Sequence, residues 1–206
     1  MRSKSLLAHF MFIGLGFMFI EVSQMQTLNL LLGNPVLSLS VVLFTLLLSG
    51  GLGSLHTSKI LAGSPEGNAR YRLGWLLLLI SATGLITPVI QSVFHGTHII
   101  VRILMALIMV APMGFAMGMA FPMGIQLAVR KGAFEALPWL WGLNGAASVF
   151  ASVLSILISL TWGISVTFWC GFSCYLLATV AYLWADNASM NWTSLSPGPS
   201  SSPKQA

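Results

Sequence analysis

The sequence predicts an all-α, polytopic membrane bundle of six transmembrane helices. Three observations lead there. Only 6% of the 206 residues are charged while 56% are hydrophobic. A soluble domain carries about 25% charge, so lipid must solvate most of this chain. Six apolar stretches, each of about 20 residues or more, are long enough to cross a bilayer. The basic residues then divide unequally between the two sides that six crossings would create.

Taken in order, the first span covers about 6–32. Its basic start resembles a signal peptide, but the apolar run continues past signal-peptide length without an A-x-A-like cleavage site before Glu21, so a retained helix is expected. Gly33-Asn34-Pro35 makes a tight turn. The second span, about 36–55, holds Ser49-Gly50-Gly51-Leu52-Gly53-Ser54, small residues that let helices approach closely. A polar segment from His56 to Arg72 carries a Gly-Ser-Pro-Glu-Gly turn. The third span, about 73–94, contains Pro88, which removes a helical hydrogen bond. After His95-Gly96-Thr97-His98 comes the fourth span, about 99–126. Its Pro112, Gly114, Gly118, Pro122 and Gly124 predict a broken helix, which membrane depth tolerates only where protein or a wet cavity satisfies the backbone. Arg130, Lys131 and Glu135 lie in the next loop. Pro138 opens the fifth span, about 138–161, with Asn144-Gly145-Ala146-Ala147-Ser148 as a small-residue contact face. The sixth covers about 164–185, and residues 186–206, rich in Ser, Pro and Asn, predict a disordered cytoplasmic tail. Two glycosylation patterns there, at Asn187 and Asn191, would go unused in the cytoplasm.

Six crossings put Arg2, Lys4, Lys59, Arg70, Arg72, Arg130, Lys131 and Lys204 on one side and only Arg102 on the other. That bias predicts cytoplasmic termini in a cell (inner) membrane. Tyr71, Trp75, Trp139, Trp141, Tyr182 and Trp184 would form an aromatic belt on that side, with Trp162 at the opposite interface. The net charge of +5 is a topology signal rather than a nucleic-acid surface, because no basic face exists.

Glu21 is the sharpest functional candidate. A carboxyl at membrane depth is expensive and turns toward a bundle interior or a wet cavity. It is a candidate proton carrier or cation ligand; the competing reading is a structural lock between two helices, with Gln24 or Asn144 as partner. Gln24, at i+3, shares its face better than Gln26 does. Arg102 either snorkels to the interface or pairs with an acidic group or ligand. Gly51, Gly53, Pro112, Pro122, Gly124, Gly145 and Ser148 are the expected helix breaks and packing positions. Cys170 and Cys174 read as packing residues one turn apart. His95 and His98 form too small a set for a metal, and His9 and His56 read as lone boundary residues. No phosphate loop, dinucleotide loop, zinc-protease motif or nucleophile triad is present, so neither enzyme activity nor a cofactor is expected. Spans one to three and four to six are candidate copies of a 3+3 inverted repeat, with Gly14 and Gly16 answering Gly114 and Gly118.

Four strings carry a family resemblance: GLGFMFIEVSQMQTLNLLLGNP from Gly14, SVVLFTLLLSGGLGS from Ser40, GMAFPMGIQL from Gly118 and PWLWGLNGAASVFASVL from Pro138. Together they resemble the C-terminal membrane region of bacterial fused transporter/spermidine-synthase-like membrane proteins. The resemblance marks Glu21, Gln26, Pro35, Gly51, Gly53, Pro122, Gly124, Trp141, Asn144, Gly145 and Ser148. Such relatives carry a soluble aminopropyltransferase-like domain and often more spans, which this chain lacks, so polyamine synthesis is not implied and a split or truncated member is. Two functions follow as expectations. One is transporter-like, proton-linked movement of a small, polyamine-like cationic solute. The other is a non-catalytic membrane anchor or scaffold for a synthase-like partner docking on the loops at 59–72 and 130–137. Beyond the lipid bilayer, a homodimer or a second membrane half are the expected partners, and nucleic acid is not.

Overall fold

The computed structural model describes residues 3–61, 69–94 and 96–187. His95, residues 62–68 of the 56–72 segment and residues 188–206 of the tail, which include the Asn191 glycosylation pattern and all but Asn187 of the other, lie outside these residues. The chain is all-helical: α1 (Ser3–Leu32), α2 (Pro35–Leu61), α3 (Ala69–Phe94), α4 (Ile99–Arg130), a short 3-10 turn at Phe134–Ala136, α5 (Leu137–Trp162) and α6 (Ile164–Asn187). All six α-helices are long and apolar enough to span a membrane. At 30 residues α1 is about 45 Å long, which exceeds a hydrocarbon core of about 30 Å and requires tilt.

The turns follow from local chemistry. Gly33 ends α1 at φ +71°, a conformation that favours glycine. Asn34 then caps α2: its Oδ1 accepts from the Val36 and Leu37 amides at 3.0 and 3.1 Å. Pro35 takes the first helical position, where its missing N–H costs nothing. Gly163, at φ +97°, is the single residue between α5 and α6.

The prolines act differently from expectation. Pro112 and Pro122 lie inside one continuous α4, and Pro88 inside a continuous α3. Each withholds one N–H from a carbonyl four residues earlier, but the remaining ladder and the neighbouring helices carry the helix through. Span four is therefore not broken.

In this bundle α1 is the centre, packed most extensively on α6 and α5, while α4 packs most extensively on α2 and then α3. Each half thus lends its first helix to the second and third helices of the other, as a 3+3 repeat with exchanged lead helices would. The contacts reciprocate residue by residue. Gly14 of α1 faces Ser148 of α5, and Gly114 of α4 faces Ser49 of α2. The His9 ring packs on Tyr182 of α6, and the Thr87 hydroxyl of α3 lies 3.6 Å from the Met109 sulfur. Corresponding members of these pairs lie about one hundred residues apart.

Glycine places two of these crossings. A Cβ on Gly118 would run into the Gly50 backbone, and one on Gly53 into the Phe115 carbonyl, so α2 and α4 touch main chain to main chain. Gly51 and Gly145, expected at packing faces, instead look into open space. Their rows turn away from α4 and α1, so the contact faces are narrower than the small-residue strings.

The aromatic belt largely holds at the end where α1 begins and α6 finishes, here the near end. Tyr71, Trp75, Trp139, Trp141 and Trp184 are exposed there, and Trp162 is exposed at the opposite, far end. Tyr182 is the correction: it is 1% exposed, because its face of α6 turns inward onto α1.

Candidate functional site

A cavity of about 410 Å3 opens at the far end, between α1, α3 and the α5–α6 turn. From α1 it is lined by Gln24, Thr27 and Leu30. From α3 come Gly84, Thr87, Pro88 and Gln91. The turn and its flanks add Ser159, Trp162, Ser165, Phe168 and Trp169. Such a recess suits a small molecule, and its polar share is high for an apolar bundle.

Each polar group is positioned by its helix. Gln24 is 1% exposed, and its Oε1 has no hydrogen-bond partner among the described residues. Gln91 donates from Nε2 to the Thr27 carbonyl at 3.2 Å, tying α3 to α1. The Thr87 hydroxyl donates to the Thr83 carbonyl at 2.6 Å. The Ser159 hydroxyl bonds the Gln26 side-chain oxygen and closes α5 onto α1. Pro88 brings no N–H to the Gly84 carbonyl, and both residues line the cavity.

Below the cavity runs the α1–α5 seam. Asn144 Nδ2 donates to the Phe10 carbonyl at 2.9 Å, and the Ser148 hydroxyl, which donates to the Asn144 carbonyl at 2.9 Å, lies 3.3 Å from the Gly14 carbonyl oxygen. With the Gln26–Ser159 bond these fix a parallel register, which sets Glu21 level with buried Ser155. Asn144, Ser148, Ser155 and Ser159 recur at spacings of 4, 7 and 4 on one α5 face, a polar stripe against α1. Glu21 itself is half-buried, one turn from Gln24, and makes no hydrogen bond or ion pair among the described residues.

The structure thus brings together Glu21, Gln24 and Gln26 and separates two other candidates from them. Asn144 cannot be the lock on Glu21, because its side chain is spent on Phe10, about three turns away. Arg102 meets no acidic group among the described residues; it donates from Nε to the Thr97 carbonyl at 3.0 Å and from Nη1 to the Leu31 carbonyl at 2.9 Å, capping the end of α1. Of the packing candidates, Gly124 seats His9: a Cβ there would come within 2.9 Å of the His9 Nε2.

His9, read from sequence as a lone boundary residue, is 0% exposed where α1, α4 and α6 meet. Its Nδ1–H donates to the Ala178 carbonyl at 2.8 Å, its ring lies 5.5 Å from Phe10 and 5.3 Å from Tyr182, and its other nitrogen, Nε2, faces the Gly124 position of α4. Thr27, Thr87, Gln91, Ser159 and Ser165 were also not singled out. For Gln91 a signal existed: it is the lone amide of its span, one turn from Pro88. Cys170 and Cys174 are free thiols, and no group of three potential metal ligands occurs among the described residues.

These features define the class: a multi-pass, all-helical integral membrane protein with a polar recess at one end. Comparison with protein-family models, with curated proteins and with solved structures gives no match.

Proposed function

We propose that the protein moves a small polar solute across the membrane, entering at the far-end cavity, with Glu21 carrying a coupled proton. One observation carries this reading: a recess lined in part by amides and hydroxyls lies one helical turn from a half-buried carboxyl that has no partner among the described residues. An intramembrane carboxyl without a partner is costly, and a functional pathway is the usual reason for keeping one. The polar stripe of α5 supports the same reading, since it lies beside Glu21 along the α1 seam. The resemblance to fused transporter/spermidine-synthase-like membrane proteins agrees with it and leaves the solute open.

The test is uptake into proteoliposomes of a panel of amines, amino acids and sugars, with and without a pH gradient. Gradient-driven uptake of one class should disappear in Glu21→Gln, which keeps the shape and removes the titratable proton. Gradient-driven uptake that survives the substitution unchanged would remove Glu21 from the mechanism. No gradient-driven uptake across the whole panel would count against transport itself.

A further inference from the structure

We propose that the corner where α3 begins and α4 and α6 end binds the phosphate of an anionic phospholipid in the near-end leaflet. The site lies at the opposite end from the recess and needs no transport through it.

The basic residues of this corner are apart in sequence, and the fold brings them together. Arg70 and Arg72 open α3, while Arg130 closes α4 and Lys131 follows it. Arg70 Nη2 donates to the Asn187 side-chain oxygen at 3.1 Å, and Lys131 Nζ donates to the Asp186 carbonyl at 2.8 Å. Both elements thus close on the last two residues of α6. The charges of Arg72, Arg130 and Asp186 all act on the Tyr182 hydroxyl, one turn before that end. Arg70 and Arg130 are exposed, and Arg72 and Lys131 are partly so. The bonds to Asn187 and to the Asp186 carbonyl end on uncharged oxygens and leave the cationic charge in place. Against these cations stand Asp186 and, in the adjoining 3-10 turn, Glu135, so the described residues leave the corner positive.

The surroundings of these charges select a lipid over a soluble anion. Tyr71 sits between Arg70 and Arg72, and Trp184 two residues before Asp186; both rings are 74% exposed. Amphipathic aromatic side chains on a membrane protein lie at headgroup level, which is the level of a lipid phosphate. Leading away from the corner, Tyr71, Trp75 and Leu78 recur at helical spacing along one face of α3, and Trp184, Val180 and Leu177 do so along α6, all of them exposed. A lipid docked by its phosphate lays its acyl chains on these faces, and a free phosphate gains nothing from them. Basic pockets between helix ends hold anionic headgroups in this way. Arginine suits the task, because its planar fork meets two phosphate oxygens at once.

The experiment is native mass spectrometry of the delipidated full chain in a non-ionic detergent, titrated in turn with phosphatidylglycerol and with phosphatidylcholine of the same acyl chains. The first phosphatidylglycerol should bind about tenfold more tightly than the first phosphatidylcholine. Arg130→Gln, at an exposed position, should lower that preference roughly threefold, and Arg72→Gln with Arg130→Gln should bring the two lipids within about twofold. Arg130→Lys, which keeps the charge, should retain most of the preference. Arg102→Gln, the same loss of one charge at the far end, should retain all of it. No preference in the wild type, a preference that survives Arg130→Gln, or an equal loss in Arg102→Gln or in Arg130→Lys would overturn the proposal. Displacement of the bound lipid by inorganic phosphate as readily as by phosphatidylglycerol would also overturn it, since the site would then serve a soluble anion.

Discussion

Gly118→Ala is the sharpest test of the α2–α4 crossing. The added methyl group meets the Gly50 carbonyl, Cα and carbonyl carbon, all backbone, so no side chain can rotate out of its way. Either α2 moves away along its whole contact with α4 or the backbone distorts. Overpacking costs about 1–3 kcal/mol, and an unyielding main-chain contact belongs at the top of that range. Replacing glycine by alanine in a helix returns about 1 kcal/mol, which leaves a net loss of about 2 kcal/mol, roughly 30-fold in the folding equilibrium. Gly51→Ala is the matched control one residue from that contact. It has nothing within 4 Å of the new methyl group, so it keeps the helix gain and should stabilise by up to about 1 kcal/mol. Reversible unfolding in mixed micelles, followed by helical circular dichroism, reads both. The double variant Gly53→Ala with Gly118→Ala should lose less than the sum, since once the helices part the second methyl group has room. A Gly118→Ala protein as stable as wild type, or indistinguishable from Gly51→Ala, would refute main-chain contact at this crossing.

The same titration checks the α1–α5 seam: Asn144→Ala should cost about 1 kcal/mol, in the usual range for an interhelical side-chain bond in a membrane, and no change would mean the Phe10 carbonyl does not depend on it. Arg102→Ala exposes the Leu31 and Thr97 carbonyls. Amide hydrogen exchange should quicken at least tenfold around 29–35 and 97–102 and stay unchanged at the near end; uniform exchange would remove the capping role. For His9, a void between three helices should cost about 3 kcal/mol in His9→Ala, whereas His9→Phe, which keeps the ring volume and loses only the Ala178 bond, should cost less than half of that. Equal losses would make the hydrogen bond, rather than packing, the reason for the histidine.

Much of the fold was legible because lipid is an exacting solvent. An apolar run of sufficient length has little choice but to cross as a helix, and the helices observed differ from the sequence spans mainly by extra turns at the ends. Gly33-Asn34-Pro35 was readable for the same local reason that it works, a left-handed glycine followed by a cap and a first-turn proline. What could not be read was rotation about the helix axis. Tyr182 and Trp184 are two residues apart in one interfacial zone, and only the rotation of α6 against α1 buries the first and exposes the second. Gly53 and Gly51 differ in the same way: both are small, and only one faces a partner. The prolines of α4 misled because a missing N–H says that one bond is lost, whereas breaking also depends on the surrounding packing. Glu21, Gln24 and Gln26 could be found as polar groups in an apolar span, yet the cavity above them needs Thr87 and Gln91 from α3 and Ser159 and Ser165 from the α5–α6 corner. Those residues are adjacent only after the lead helices have been exchanged.

That exchange also explains why the molecule has sides. The lead helices are held in the same manner at both ends, Gly14 by Ser148 and Gly114 by Ser49, so the backbone scheme by itself would give two similar ends. The side chains differ. Where Thr87 meets Met109 at the far end, the near end has Tyr182 meeting His9; where α1 offers Gln24, α4 offers Gly124, and His9 and the Phe10 ring fill the space a side chain would take. Phe121 then stacks on Phe10 at 5.1 Å and on Trp141 at 4.8 Å, completing an aromatic plug. Aromatic side chains bury large areas and pack without voids, whereas Thr and Gln leave both volume and hydrogen-bonding capacity. A few corresponding positions therefore distinguish the two ends: at the far end Gln24 and Thr87 border a recess, whereas at the near end the corresponding space beside Gly124 is filled by His9 and the Phe10 ring.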